Sequence, residues 1–209
     1  MNLTIFGASG KTGRHLLAQA LAGGHTVTAL VRSPARLSGR DARLKVIEGD
    51  VRDLAQVTAA VAGAEAVISV LGPSSNRPEL AVSAGIDNLV TAMRQHEVRR
   101  LIQTAGAGVR DPRDRPTPVH AFFGLLVRVL TPNALADMQQ AVEKVRSSGL
   151  DWTVVRVPRL TDGPATGRLR AGYVGQDIGP SLARADLAAF LLQQLTDRSW
   201  VGQAPAVSN

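Results

Sequence analysis

The sequence predicts a doubly wound α/β domain built on one parallel sheet and extending over residues 1–209. Strand-like and helix-like segments alternate from the first residue, which is typical of parallel strands joined by helical crossovers. A glycine-rich turn joins the first strand to the first helix. Neither an internal repeat nor a linker interrupts the pattern, and 209 residues suit a single domain.

Hydrophobic periodicity and turn residues assign the elements in chain order. The predicted strands are residues 2–6, 25–31, 44–47, 66–71, 100–104 and 152–157, followed by an edge strand at 204–207. The predicted helices are residues 12–22, 53–61, 80–96, 119–130, 134–147 and 181–196, the last one capped by Ser181. Residues 105–118 are expected to form a loop. Residues 158–180 are expected to form a small irregular region on the substrate side, with room for a short hairpin.

Composition restricts the chemistry open to the chain. Hydrophobic residues make up 44% of it and aromatic residues 3%, so the core must consist mainly of Leu, Val, Ile and Ala. The absence of cysteine excludes disulfides, thiolate metal sites and a cysteine nucleophile. With only four histidines, we expect no metal site. Neither a signal peptide nor an apolar run of ~18 residues is visible, so we expect a soluble, cytoplasmic protein without a membrane partner.

The formal net charge of +7 raises the question of nucleic-acid binding. All but three of the 24 basic residues are arginines scattered along the chain, and no aromatic side chains lie between them to stack on bases. We therefore expect no nucleic-acid partner. The excess charge is assigned to composition and to a few anion-binding arginines.

The glycine-rich turn is the most informative segment of the sequence. Gly7 permits backbone angles that side chains resist, Gly10 lets the backbone approach a pyrophosphate, and Gly13 lets the first helix pack closely on the strand. The side chains that can add hydrogen bonds to the phosphates are Ser9, Lys11 and Thr12. Phosphates would lie at the amino terminus of the helix, where free N–H groups favour negative charge. The turn predicts a dinucleotide-binding Rossmann fold.

Two alternative interpretations of this turn are weaker. Gly10-Lys11-Thr12 resembles the end of a P-loop, but that motif needs a glycine five positions before Gly10, where the chain has Ile5. An ordinary glycine-rich turn is disfavoured because this one follows a strand and opens a βαβ unit.

The residues after the second strand indicate which dinucleotide is bound. NAD sites usually place an Asp or Glu there to accept hydrogen bonds from ribose hydroxyls. Here the position holds Arg32, and Ser33 and Arg36 follow closely. A guanidinium matches a 2′-phosphate in charge and in the geometry of its donors, so we expect NADPH as the cofactor. The competing interpretation of Arg32 is a solvated arginine at a strand end.

The ends of the next strands supply further expected cofactor contacts. Asp50 can meet the adenine amino group and Val51 can pack on the ring, although Asp50 can also cap the following helix. The carboxyl ends of the strands form the ligand-binding edge of an open α/β sheet. The other candidates at this edge are Leu71, Gly72 and Pro73 beside the adenosine ribose, and Thr104, Ala105 and Gly106 beside nicotinamide and substrate.

Four motifs together resemble those of the atypical short-chain dehydrogenases/reductases. They are Gly7-Ala8-Ser9-Gly10-Lys11-Thr12-Gly13, Leu30-Val31-Arg32-Ser33-Pro34, Gly49-Asp50-Val51 and Val70-Leu71-Gly72. Within that group the chain resembles the NAD(P)H-binding family that includes biliverdin reductase B, a flavin reductase, and the NmrA-like proteins. Residues 156–164 and 183–188 resemble the same family, so the likeness covers nearly the whole chain. The resemblance implies that Val157 and Pro158 also lie around the nicotinamide.

The sequence departs from the family pattern at the catalytic positions. Short-chain dehydrogenases usually carry a Tyr-x-x-x-Lys pair, but Tyr173 is the only tyrosine and Asp177 follows it four residues on. Flavin-reducing relatives often have a serine after strand five and a histidine after strand six. The corresponding residues here are Ala105 and Arg159, so these positions offer no proton donor of the usual kind.

Two residues remain as catalytic candidates. Arg159 can stabilise negative charge that develops on an acceptor, and His120 can act as a general acid. Alternatively, Arg159 is an ordinary surface arginine, and His120 is a structural histidine at the start of a helix. The apolar segment 119–126 is expected to form a pocket wall for a planar acceptor or part of the core, with a dimer contact as a further alternative.

These observations favour an NADPH-dependent oxidoreductase that transfers a hydride to a flavin, a quinone or a similar small aromatic acceptor. Such chemistry needs little from the protein beyond alignment. An NmrA-like redox sensor without turnover also fits the missing Tyr/Lys pair. A nucleotide-sugar epimerase or dehydratase is weaker, because it needs a base to take a proton from a sugar hydroxyl. We expect a monomer or a homodimer.

Overall fold

The centre of the molecule is an eight-stranded sheet that helices cover on both faces. The computed structural model describes residues 1–37, 41–73, 75–76, 80–106, 108–176 and 178–209, and for Phe123 the backbone only. The strands are β1 (Asn2–Phe6), β2 (Thr26–Val31), β3 (Leu44–Glu48), β4 (Ala66–Ser69), β5 (Arg100–Gly106), β6 (Asp151–Val157), β7 (Arg159–Thr161), β8 (Arg170–Gly172), β9 (Ser181–Ala183) and β10 (Ala206–Ser208). The α-helices are α1 (Lys11–Ala22), α2 (Leu54–Val61), α3 (Ala81–Gln95), α4 (Pro118–Leu130), α5 (Pro132–Arg146) and α6 (Arg184–Gln193).

The strand order of the large sheet is β3-β2-β1-β4-β5-β6-β10-β8, and β7 and β9 form a separate parallel pair. All pairings in the large sheet are parallel except that between β10 and β8. The order reverses at β1, so successive crossovers pass to opposite faces and leave a crevice beside the carboxyl end of β1. The predicted doubly wound Rossmann fold is therefore confirmed.

Alternate side chains along the strands enter two cores, one on each face of the sheet. On one face Phe6, Val67 and Leu101 are fully buried and pack with α2, α3 and α5. On the other face Ile5 and Ile68 are fully buried and pack with α1 and α6. Because both faces are covered, the central strands read as almost continuous apolar runs, which is the pattern that predicted them.

Three predicted features of the C-terminal part are wrong. Ser181 does not cap a helix: it begins β9, which pairs with β7, and α6 starts only at Arg184. The last strand is not at an edge, because β10 lies between β6 and β8. The irregular region contains two short strands but no hairpin, since β7 pairs with β9 and β8 pairs with β10. In addition, β5 continues to Gly106, two residues into the predicted loop.

A buried ion pair ties the loop after β5 to β6. Arg156, whose side chain is 0% exposed, donates to both carboxylate oxygens of Asp114 at 2.6 and 2.7 Å. The same guanidinium donates to the carbonyl oxygens of Val109 and Ala204, and Asp114 accepts from the N–H of Val174 at 3.0 Å. Burial alone would raise the pKa of Asp114, but the hydrogen bonds, chiefly from Arg156, hold it below its ordinary value.

Helix α4 is exposed over most of its surface, and none of its described side chains is buried. Its large apolar side chains are exposed by 40–66%; they are Val119, Phe122, Leu125, Leu126, Val127, Val129 and Leu130. The expectation that this segment contributes to the core is therefore wrong for these residues, while the side chain of Phe123 lies outside the described part. None of the described helices alone is long and apolar enough to cross a bilayer, although α4 and α5, bent by 107° at their junction, reach those limits together.

We predict that Asp114→Asn lowers the free energy of unfolding by about 3 kcal/mol, because it leaves the Arg156 charge buried without a counter-charge. The native carboxylate, with its depressed pKa, stabilises the fold above the unfolded value of about 4, and this contribution is lost as the pH falls through the lower folded pKa. Urea denaturation of the native protein and of Asp114→Asn should therefore show a difference in the free energy of unfolding that shrinks below about pH 4.

Asp41→Asn provides the matched control, because the Asp41–Arg43 ion pair is partly exposed at the surface. Its loss should leave the free energy of unfolding nearly unchanged, because water already screens the two charges. Equal losses in the two variants would contradict the role assigned to the buried pair.

Candidate active site

The turn between β1 and α1 brings three backbone segments into contact. Gly7 has a φ of +83°, and a Cβ on it would lie 3.0 Å from the backbone of Val70 in the segment after β4. A Cβ on Gly13 would lie 2.1 Å from the carbonyl oxygen of Gly7, closer than atoms can approach. The N–H of Gly10 donates to the same carbonyl at 3.0 Å. The three glycines therefore form the tight cradle that a dinucleotide pyrophosphate requires.

The amino terminus of α1 faces this cradle. Gly10 is the N-cap residue and has no side chain to accept from the first turn, so the N–H groups there can bind an anion. Ser9 is partly exposed in the turn. Lys11 donates to Asp162 at 3.0 Å, and the same carboxylate accepts from Arg184 at 2.6 Å. The hydrogen bond from Lys11, together with the charge of Arg184, lowers the pKa of Asp162.

A group of arginines lies at the end of β2. Arg32 is exposed, and its charge helps to lower the pKa of Asp50. Arg14, one turn into α1, reaches across and donates to the carbonyl oxygen of Arg36 at 3.2 Å. Ser33 precedes the single 3₁₀ turn that contains Arg36. The sequence indicated Arg32, Ser33 and Arg36 but not Arg14, because a residue inside a helix carries no signal that its side chain reaches the neighbouring loop.

Asp50 is held as a carboxylate rather than used as a helix cap. Arg52 donates to its two oxygens at 3.0 and 2.8 Å, and this interaction lowers the pKa of Asp50 to about 2. The cap of α2 is Asp53, which accepts from the N–H of Gln56, so the capping alternative for Asp50 is wrong. Val51 packs on Gly85 of α3, where an added Cβ would lie 2.8 Å from its methyl carbon.

A pocket of roughly 180 Å³ opens at the carboxyl ends of the central strands. Of the predicted residues, those that line it are Thr12, Leu71, Gly72, Pro73, Thr104, Ala105, Gly106 and Val157. The hydroxyl oxygen of Thr104 lies 3.5 Å from the carbonyl oxygen of Ser69, too far for a strong hydrogen bond, so it is available to a ligand. No titratable side chain is among the described lining residues.

Four further lining residues were not predicted; they are Val70, Met138, Leu160 and Leu187. Met138 comes from α5 and Leu187 from α6, so helices from both faces of the sheet close the pocket. Both residues are almost fully buried, and in sequence they belong to apolar stripes like any other core residue. Periodicity identifies which face of a helix is buried but not whether that face meets a core or a ligand pocket.

The structure does not bring the two predicted catalytic residues into the described pocket lining. His120 lies in the first turn of α4, where its Nδ1 accepts from the N–H of Thr117 at 3.3 Å and its own N–H donates to the Thr117 hydroxyl, which completes a capping box. Arg159 is exposed and follows Pro158, which is half-buried between Val157 in the pocket wall and the start of β7. Residues 119–126 do not line the pocket where the structure describes them, so the pocket-wall interpretation of this segment is also wrong.

Tyr173 is part of a structural cluster far along the chain from the glycine turn. Its hydroxyl donates to Gln203 at 2.8 Å, its ring lies edge-on to Trp200, and the guanidinium of Arg113 stacks over it at 4.3 Å. Burial raises the pKa of Tyr173, which further disfavours proton transfer by this group. Asp177 lies outside the described residues.

A glycine cradle at the amino terminus of a helix, next to a pocket at the sheet's reversal point, defines a Rossmann dinucleotide-binding protein. The family model described as NAD(P)H-binding matches residues 7–198. The chain therefore belongs to this NAD(P)H-binding family of atypical short-chain dehydrogenases/reductases, which are NAD(P)H-dependent oxidoreductases. The narrower resemblance to biliverdin reductase B stays a prediction.

Three similar proteins illustrate the range of the family. The uncharacterized protein YwnB of Bacillus subtilis is 32% identical over 93% of this chain and 92% of its own length. Cinnamoyl-CoA reductase 1 of Oryza sativa is 29% identical over 77% of this chain, which spans only 53% of that enzyme. A short-chain dehydrogenase/reductase of Veillonella parvula, solved in complex with NADP, superposes with a TM-score of 0.81 at 21% identity. The superposition covers 100% of this chain and 94% of the Veillonella chain.

We predict that Gly13→Ala lowers the affinity for NADPH more than tenfold and the free energy of unfolding by about 2 kcal/mol, since the new methyl group must displace the Gly7 carbonyl. Calorimetric titration and thermal unfolding measure the two effects. Gly172→Ala is the control, because its Cβ would make only ordinary contacts at 3.7 Å or more. An unchanged affinity in Gly13→Ala would contradict the placement of the pyrophosphate.

Proposed function

We propose that the protein is an NADPH-dependent reductase that transfers a hydride to a flavin, a quinone or a similar small aromatic acceptor. The observation that carries this proposal is the chemistry of the pocket. Its wall is mainly apolar, and its described side chains include two threonine hydroxyls but no acid or base. Such a wall suits a flat aromatic ring, and it suits a reaction that needs no proton from the protein.

The absence of a base in the described lining disfavours epimerase and dehydratase chemistry. Those reactions need a group that takes a proton from a sugar hydroxyl within hydrogen-bond reach. The Tyr-x-x-x-Lys pair that would supply it in short-chain dehydrogenases is missing from this sequence, and the single tyrosine, Tyr173, is engaged with Gln203. Reduction of a flavin or quinone tolerates this, because water can supply the proton.

The chain's own residues hold the reactants and keep competing water out. A reduced nicotinamide, when bound, supplies the hydride. Thr104 offers a hydroxyl to a ring at the end of β5, while Met138 and Leu187 close the pocket from two helices. Arg159 follows the pocket wall at its exposed rim, where its guanidinium can stabilise negative charge developing on the acceptor.

The group of arginines at the end of β2 supports NADPH over NADH. Arg32 occupies the position of the usual ribose-binding acid, is exposed, and has no ion pair or hydrogen bond among the described residues. Arg14 and Arg36 lie on the same side of the glycine turn, so three guanidinium groups can face one phosphate. The similar protein of Veillonella parvula was solved with NADP, which agrees with this assignment.

We predict that Arg32→Ala weakens NADPH binding roughly 10- to 100-fold, the range of a lost hydrogen bond to a charged group, and leaves NADH affinity nearly unchanged. Parallel calorimetric titrations with the two cofactors measure the difference. Arg43→Ala serves as the control, because Arg43 is paired with Asp41 in a nearby loop. Equal losses for NADPH and NADH would contradict a contact with the 2′-phosphate.

We also predict turnover of NADPH with FMN, riboflavin or a simple quinone, followed by the absorbance of the reduced nicotinamide. The rate constant kcat should vary little between about pH 6 and about pH 8, where histidines titrate, because the described residues of the pocket wall include no titratable side chain. Arg159→Ala should lower kcat about tenfold, less than the loss of an enclosed donor, because Arg159 is exposed.

His120→Ala separates the two roles of the histidine. As a capping residue it should leave kcat within about twofold and lower the thermal stability slightly. A large loss of kcat, together with a strongly pH-dependent rate in the native protein, would identify His120 as the proton donor instead. Tight NADPH binding without turnover of any acceptor would favour a redox sensor of the NmrA-like kind.

A further inference from the structure

Helix α4 carries an exposed apolar stripe whose residue spacing is typical of helices that pair with each other. Val119, Phe122, Leu126 and Val129 are separated by three, four and three residues, which places them on one face of the helix. Their exposures are 63, 64, 41 and 66%, so the face that would be buried in a globular helix points to solvent here. Leu125 and Leu130 widen the stripe and are exposed by 59 and 63%.

This apolar surface is large for a monomer. The large apolar side chains of α4 together present on the order of 500 Å², at the upper end of the largest patch on typical monomers. Two such faces in contact would bury on the order of 1,000 Å², which reaches the area that a specific protein interface needs.

The order of residues along the stripe is symmetric about the middle of the helix. Gly124 is the central residue of Pro118–Leu130. Val119 and Val129 lie five residues before and after it, and Phe122 and Leu126 lie two residues before and after it. In an antiparallel pair of identical helices, each valine would face a valine and each phenylalanine would face a leucine. Such a self-complementary pattern is what a two-fold interface requires.

Gly124 itself does not belong to the stripe. It lies two residues from Phe122 and from Leu126, and successive residues of an α-helix are rotated by about 100°, so Gly124 points to the opposite side of the helix. Two helices paired through the stripe therefore meet by its apolar side chains, and Gly124 marks only the level of the symmetry axis along the helix.

A membrane surface fits α4 less well than a second protein chain. Helices that lie on membranes carry a strongly basic polar face opposite their apolar face. Among residues 118–130, Arg128 is the only charged side chain apart from the titratable His120. We infer that α4 is a homodimer interface, in which two copies of this chain pair the apolar stripes of their α4 helices antiparallel, with the two-fold axis at the level of residue 124.

The test is the mass of the full chain in solution, measured by sedimentation equilibrium at concentrations around the micromolar range. We expect twice the mass of one chain. Leu126→Glu should raise the dimer dissociation constant at least about tenfold, as truncation of a central interface residue does. The matched control is Leu54→Glu, which changes another exposed leucine, at the start of α2, and should leave the dimer intact.

A charge-exchange experiment distinguishes the antiparallel arrangement from all others. Val119→Lys and Val129→Glu should each weaken the dimer. The double variant should restore it, because each lysine then faces the glutamate of the other copy. In a parallel pair like charges would meet, and the double variant would be no better than the single ones. This rescue also shows that the single variants fold, since a misfolded chain would not be repaired by a second charge.

Three results would overturn the inference. The native chain could remain a monomer throughout the concentration range. A dimer could form that Leu126→Glu does not weaken, which would place the contact elsewhere. Finally, a monomeric chain could co-sediment with vesicles of phosphatidylglycerol and phosphatidylcholine and lose this binding in Leu126→Glu, which would assign the face to a membrane.

Discussion

The close contact between the first strand and the first helix is the constraint on which the site depends. The carbonyl oxygen of Gly7 lies where a Cβ of residue 13 would be, and the backbone of Val70 touches Gly7 from the other side. These contacts leave no room for side chains, so β1, α1 and the end of β4 can have only one arrangement. That arrangement places the free N–H groups of α1 beside the crevice where the strand order reverses.

A second constraint, the set of hydrogen bonds made by Arg156, positions the loops beside the carboxyl ends of β5 and β6. Arg156 points from β6 into the apolar core, where an unpaired charge would be strongly destabilising, so its partners must come to it. They come from two separate segments: the loop after β5 supplies Asp114 and the carbonyl of Val109, and the segment before β10 supplies the carbonyl of Ala204. Asn76 makes a comparable connection on the other side, where it joins the segment after β4 to Asn133 at the start of α5. The loops around the pocket are therefore fixed by polar contacts, because they contain too few apolar residues to pack on their own.

The sequence allowed the sheet, the glycine turn and most helices to be predicted, because each leaves a local signal of periodicity, glycine spacing or capping. It did not reveal that Ser181 pairs in a strand, since its local context satisfies the rules for a helix cap and only the position of β7 decides otherwise. Met138 and Leu187 were missed for a related reason: the apolar face of a helix looks the same whether it meets a core or a pocket. The opposite error occurred in α4, where an apolar segment predicted a buried or pocket-lining element and the structure exposes it.

The position of the single tyrosine, Tyr173, relates the fold to the question of proton transfer. In a dehydrogenase that acts on alcohols and carbonyls, a tyrosine must reach the pocket with a nearby lysine to move a proton. In this chain Tyr173 is occupied by Gln203, Trp200 and Arg113, and this cluster holds the turn after β8 against the loop that contains Asp114. The tyrosine thus stabilises the edge of the site instead of acting in it. In the reaction proposed above, a pocket arranged in this way would select an acceptor by the shape of its apolar wall and by charge at its rim, and would favour acceptors whose reduced form takes its proton from water.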